Sequence, residues 1–143
     1  MENKILKELY KLSLKAAKKE EMPVAAILLY DNKIIAKAYN KRNKTELTTD
    51  HAEIQVIKKA NKKLKTWRLN KCTIYVTMKP CEMCESVIRE ARINEVFYLI
   101  DRMPEKRQYY KTEIKKINNE LSEKIEKKYL EILNDFWKIR RKK

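Results

Sequence analysis

Residues 73–100 read TIYVTMKPCEMCESVIREARINEVFYLI, and this stretch decides the fold. Thr73-Ile-Tyr-Val-Thr77 is rich in β-branched and aromatic residues and predicts a central strand. Pro80 suits the first turn of a helix running to about Arg92. Residues 96–100 predict another strand. Strand, helix and strand in succession imply a parallel pair joined by a right-handed crossover, with helices covering the sheet.

Working outward, residues 24–30 form a short apolar run without helical period and predict a buried strand. Asp31-Asn32-Lys33 is a turn signal, and residues 34–39 predict its hairpin partner. Upstream, Ile5, Leu9, Leu12 and Ala16 share one face at helical spacing, so an amphipathic helix opens the chain and ends before Pro23. Between hairpin and central strand, Thr48, Thr49 and Asp50 offer an N-cap for a helix over residues 51–65. The expected architecture is α/β: a three-layer α/β/α sandwich with a mixed central sheet. From Thr112 onward Ile114, Ile117, Leu121, Ile125, Tyr129, Ile132, Phe136 and Ile139 recur every three or four residues, which predicts a long C-terminal helix, kinked or split.

Composition narrows the function. The chain has 143 residues, a formal net charge of +15 and no glycine. A glycine-free chain excludes Walker A loops, dinucleotide fingerprints and kinase lid loops, each of which needs Gly for close backbone approach or positive φ. The charge comes from 27 lysines and only 8 arginines. An A/T-rich codon bias and a polyanionic partner would both produce it, so charge alone does not choose. The three cysteines, two of them as C-x-x-C, fit metal or redox chemistry in a reducing compartment better than a disulfide framework. No apolar run approaches membrane-spanning length, and the N-terminus, with Glu2 and Lys4, lacks the apolar core of a signal peptide. A cytoplasmic location is expected.

Two short segments carry the chemistry: His51-Ala52-Glu53 and Pro80-Cys81-Glu82-Met83-Cys84. Each falls at an expected helix N-terminus, where the dipole favours thiolate. Cys81 and Cys84 lie three apart on one face, and His51, the single histidine, is the natural third ligand. Three protein ligands leave a fourth position open on a tetrahedral Zn²⁺, the catalytic arrangement, and Glu53 is placed to reach a water there. Taken singly, C-x-x-C also reads as a redox pair and a lone histidine as an ordinary residue. A closed structural zinc including Cys72 conflicts with geometry: residues 72–77 as a strand span about 16 Å at ~3.3 Å per residue, carrying Cys72 away from Cys81. Cys72 is expected to be a packed thiol.

H-A-E followed by P-C-x-x-C resembles the zinc-dependent nucleobase deaminases. Met22-Pro-Val-Ala-Ala-Ile27, Ala38-Tyr-Asn40, Thr49-Asp-His-Ala-Glu-Ile54, Thr66-Trp-Arg-Leu69, Tyr75-Val-Thr-Met-Lys-Pro-Cys-Glu-Met-Cys84 and Ala91-Arg-Ile93 are similar to the bacterial tRNA-specific adenosine deaminases, in the cytidine/deoxycytidylate deaminase superfamily. Asp135-Phe136-Trp137 with Arg140 and Arg141 resembles that family's C-terminal helix. The resemblance implies one zinc-dependent deaminase domain over 1–143, with a cytidine-deaminase-like core over 3–101 and a C-terminal helical segment over 105–143. It implies a zinc ion on His51, Cys81 and Cys84, with Glu53 as proton shuttle. It also implies Asn40 as a hydrogen-bonding partner of the target nucleoside, and Phe136 and Trp137 beside a splayed anticodon loop. Further implications are a homodimer, tRNA as partner, and conversion of adenosine to inosine at the wobble position of an arginine tRNA.

The chain departs from that family mainly where glycine is missing. Ala25 stands where the family usually has Gly, Ser86 and Val87 where it has Gly or Ala, and Lys79 where Glu precedes Pro-Cys. The loop after residue 100 is Asp101-Arg102-Met103-Pro104-Glu105-Lys106, without the family's glycine. Two other readings stay open: a deaminase of a free base or nucleotide such as guanine, cytosine or deoxycytidylate, and a non-catalytic basic RNA-binding module with zinc.

Overall fold

The computed structural model describes residues 1–102 and 111–141, the side chain of Arg141 excepted. Helix α1 (Glu2–Lys18) is followed by strands β1 (Ala25–Tyr30) and β2 (Lys33–Tyr39), a single turn α2 (Arg42–Thr45), helix α3 (Ala52–Leu64), strand β3 (Cys72–Met78), helix α4 (Glu82–Glu90) and strand β4 (Glu95–Ile100). The sheet order is β2-β1-β3-β4. β1 runs antiparallel to both β2 and β3, whereas β3 and β4 are parallel, with Thr73 opposite Glu95 and Met78 opposite Ile100. This is the mixed sheet expected from the hairpin and the strand-helix-strand unit.

β1 explains its own unbroken apolar run. Ala25, Ile27 and Leu29 pack on Ile5, Leu9 and Leu12 of α1. Ala26 and Leu28 face the other way, against Ala52, Val56, Ile57 and Ala60 of α3 and Ile88 of α4. A strand covered on both faces has no polar alternation to display. Helices on the two faces make the three layers.

The hairpin turns without glycine. Asp31 (φ 49°) and Asn32 (φ 67°) both take left-handed backbone, as a two-residue type I′ turn requires. Glu20, Glu46, Lys65 and Arg92 also have positive φ. Each strains a Cβ against its carbonyl by roughly 1 kcal/mol where glycine would not.

Several boundaries differ from expectation. The N-cap of α3 is His51, with extended ψ of 152°, and not one of Thr48, Thr49 or Asp50. Asp50 is occupied elsewhere, its Oδ2 accepting from Thr45 Oγ1 at 2.7 Å. The N-cap of α4 is Cys81, so Pro80 precedes the cap and the helix ends at Glu90. The turn α2 carried no apolar period and was not expected.

Residues 105–143 form a separate compact unit. Within it the helix α5 spans Glu120–Arg141, and residues 112–118 are not helical despite Ile114 and Ile117 being in phase. The reason is local. Asn119 Oδ1 accepts Ser122 N–H at 2.7 Å while Ser122 Oγ accepts Asn119 N–H at 2.9 Å. This reciprocal box fixes Asn119 as the helix start. Residues 103–110, including Met103, Pro104, Glu105 and Lys106 of the loop, lie outside the described residues.

Candidate metal centre

Two helix N-termini meet at the end of the sheet. α3 brings His51 at its N-cap and Glu53 one residue into the helix from Ala52. α4 brings Cys81 at its N-cap and Cys84 in its first turn. His51 Nδ1 lies 3.4 Å from Cys84 Sγ and 3.7 Å from Cys81 Sγ. The three ligand atoms all fall within 4.8 Å of one another. A tetrahedral zinc with arms of ~2.05 Å to nitrogen and ~2.3 Å to sulfur separates its N and S ligands by about 3.6 Å. The triangle therefore has the dimensions of a zinc site, formed by one imidazole nitrogen and two thiols.

Electrostatics match the donor set. Hydrogen bonding with Cys84, assisted by His51, holds the Cys81 thiol down at about 3, and the same contact with Cys81 pushes Cys84 up. A cation bound between the two sulfurs would let both be thiolates. Both sulfurs are buried with Ile54 in a small apolar cluster that limits water access. Glu53 is 3% exposed, and burial raises its carboxyl above the usual range. Its Oε1 is the one buried side-chain oxygen or nitrogen among the described residues with no hydrogen-bond partner. A buried carboxylate oxygen left unpaired costs on the order of 1–3 kcal/mol or more, which is tolerated where a site needs a free acceptor.

Cys72 stands apart at the start of β3, in the main apolar core with a thiol raised by burial. It does not belong to the metal cluster. Asn40 ends β2 and is buried. Its Oδ1 accepts Arg42 N–H at 3.0 Å. A backbone N–H can only donate, so the amide orientation is forced. The Nδ2 hydrogens remain, without a partner among the described residues.

Residues missed in the sequence hold this corner together. Glu21, buried, accepts Asn43 N–H at 2.9 Å and Lys44 N–H at 2.8 Å, one on each carboxylate oxygen. Gln55, also buried, donates from Nε2 to Tyr39 O at 2.8 Å and Asp50 O at 3.1 Å. Those carbonyls belong to the residues immediately before Asn40 and His51, so a single amide spans the 40–51 loop at both ends. A polar residue between Ile54 and Val56 on the buried side of a helix was the available signal for Gln55. Glu21 had none, because its partners are backbone groups 22 and 23 residues away.

Phe136 and Trp137 lie in the C-terminal unit, edge-to-face at 5.2 Å, with the Arg140 guanidinium 4.5 Å from the Phe136 ring.

A model of the MafB19-like deaminase family matches residues 1–141. The chain belongs to this family. Among relatives, it is 41% identical over 93 residues to the tRNA-specific adenosine deaminase of Bacillus subtilis, a match covering 65% of this chain and 58% of that protein's length. Two solved structures share the fold with a TM-score of 0.66 each. One comes from work on A-to-I editing by tRNA:A34 deaminases at the wobble position, at 33% identity over 68% of this chain and 70% of the other. The second is guanine deaminase from B. subtilis, at 32% identity over 69% of this chain and 64% of the other. The resemblance drawn from the motifs is thus matched by similarity over 65–68% of this chain. No helix among the described residues is long and apolar enough to cross a membrane.

Proposed function

We propose that the chain is a zinc-dependent hydrolytic deaminase converting adenosine to inosine at the wobble position of a tRNA, an arginine tRNA by family resemblance. The observation that carries the reading is the unpaired, buried Glu53 Oε1 beside the His51–Cys81–Cys84 triangle. A structural zinc has no use for a desolvated carboxylate next to it.

His51, Cys81 and Cys84 would hold Zn²⁺, and the ion, when bound, supplies acidification of a water molecule at its open position. Glu53 accepts the proton of the attacking water and delivers it to N1 of adenine, making C6 electrophilic. After attack at C6 the Glu53 carboxylate takes the remaining proton from the added hydroxyl and passes it to the departing amine, so C6 becomes a carbonyl and ammonia leaves. Its raised affinity for protons suits a group that must take up a proton and release it again. Asn40 offers an N–H donor, so it pairs with an acceptor on the target nucleoside. Phe136 and Trp137 supply stacking surface for anticodon-loop bases, which a single-stranded loop lets out of the stack at low cost. In this reading the whole chain is one deaminase domain working as a cytoplasmic homodimer.

The test is incubation of the zinc-loaded protein with an anticodon stem-loop bearing wobble adenosine, with inosine as the readout. Absence of inosine from folded, metal-loaded protein rejects the proposal. The guanine deaminase similarity, equal in TM-score, favours a second reading. Ammonia release from free guanine, cytosine or deoxycytidylate, with none from RNA, would select it. RNA binding with identical background activity in wild type and Glu53→Ala would select the non-catalytic module.

A further inference from the structure

We infer that Lys19 and Lys41, both held on Tyr39, form a binding site for the phosphodiester backbone of the RNA strand that delivers its base to Asn40. The inference rests on the RNA substrate proposed above. Tyr39 is the last residue of β2, immediately before Asn40. Lys19 Nζ donates to the Tyr39 hydroxyl at 2.8 Å and lies 5.4 Å from the ring centroid. Lys41 Nζ lies 5.0 Å from the same centroid. One ring therefore collects two ammonium groups from α1's C-terminal end and the β2–α2 junction, which are 22 residues apart in sequence. Cation–π contact and the hydroxyl bond fix heads that would otherwise wander on four-carbon stems.

The cluster is not neutralised. None of the ion pairs among the described residues involves Lys19, Lys41, Lys44 or Lys59. Two groups report the resulting positive field. The Tyr39 phenol is lowered by its hydrogen bond from Lys19 and by the charges of Lys19, Lys41 and Lys44, with no carboxylate among the causes. Lys59 is lowered by burial and by Lys41.

Location selects the partner. Lys41 follows Asn40, and its N–H donates to Asp50 O at 3.1 Å, the residue before His51. A nucleotide whose base enters beside Asn40 carries its phosphates only a few bonds away, and phosphodiester oxygens are what unpaired ammonium groups recognise. A free base has no such group, so a purine deaminase would leave these lysines unused.

The test compares two double variants of the full, zinc-loaded chain carrying the same charge change. One is K19A/K41A. The other, K62A/K63A, alters the far end of α3, about 20 Å from His51 along a 13-residue helix. Binding of the wobble stem-loop RNA is measured across salt concentrations. Each lost phosphate contact should lower the slope of log Kd against log salt by roughly 0.7–0.9. The expected result is a fall of about 1.5 units for the Tyr39 cluster and well under one for the α3 end. The charge-preserving K19R/K41R should retain the wild-type slope. Equal slope losses in the two alanine variants overturn the proposal, because the lysines would then act through net charge alone. Inosine formation by wild type is scored separately: a selective slope change without inosine keeps the phosphate site and rejects the deaminase reading, and inosine with equal slopes does the reverse.

Discussion

Helices α3 and α5 are both amphipathic by sequence, yet their apolar residues have opposite fates. Val56 and Ala60 of α3 are 0% exposed and Ile57 is 4%. In α5, Tyr129 is 56% exposed and Ile132 65%. The 3.6-residue pattern states that a face favours burial and says nothing about what covers it. For α3 the sheet supplies Ala26, Leu28, Ile74 and Val76, and the same packing fixes where His51 and Glu53 stand. For α5 only the helix start is locally determined, by the Asn119–Ser122 box. The lesson from α3 is that residues carried over by motif take their geometry from the face their helix buries against the sheet.

The comparison breaks most sharply at the N-terminus of α3 and α4. Cys84→Ser should abolish both stoichiometric zinc binding, read by metal analysis, and deamination. Glu53→Ala should keep the zinc and lose activity by ~10²–10⁴-fold, the range for a positioned acid–base group. Loss of zinc in Glu53→Ala would mean that the carboxylate is a ligand.

Gln55→Met tests whether α3 organises the site beyond its ligands. It leaves two carbonyls without their donor, so unfolding free energy should fall by about 1–3 kcal/mol. KM for the RNA should rise several-fold while zinc stoichiometry is unchanged, because Tyr39 and Asp50 anchor the loop bearing Asn40. An unchanged KM with lowered stability would reduce Gln55 to a packing role.

The α5 side sharpens next. A Phe136→Ala/Trp137→Ala double variant should weaken stem-loop binding by roughly 1–3 kcal/mol per stacked base, with zinc content and α3 packing untouched. Unaltered affinity would remove these aromatics from the RNA site. The smallest effect belongs to the glycine-free backbone. Lys65, at φ 56° on the C-terminal cap of α3, should stabilise the fold by ~1 kcal/mol when changed to Gly, measured by urea denaturation.

Much of the fold was legible because each signal was local. Thr73-Ile-Tyr-Val-Thr77, the apolar run of β1 and the Asp31-Asn32 turn each specify their own backbone. Their errors were local too. The cap of α3 moved to His51 because Asp50 is held by Thr45, and α5 began at residue 120 because Asn119 captured Ser122. Of the candidate site, H-A-E and P-C-x-x-C were readable because neighbouring positions on a helix start determine their mutual placement.

By itself, then, the sequence determined the residues of the candidate metal site, the layer architecture and the exclusion of glycine-dependent phosphate loops. Only the tertiary structure decided that His51 and Cys84 approach to 3.4 Å, that Glu53 Oε1 is buried without a partner, and that Glu21 and Gln55 bind the loop carrying Asn40. The physical reason is range. Periodicity and capping act over a few residues, whereas desolvation and hydrogen bonds between segments 16 to 33 residues apart exist only once the sheet has brought those segments together.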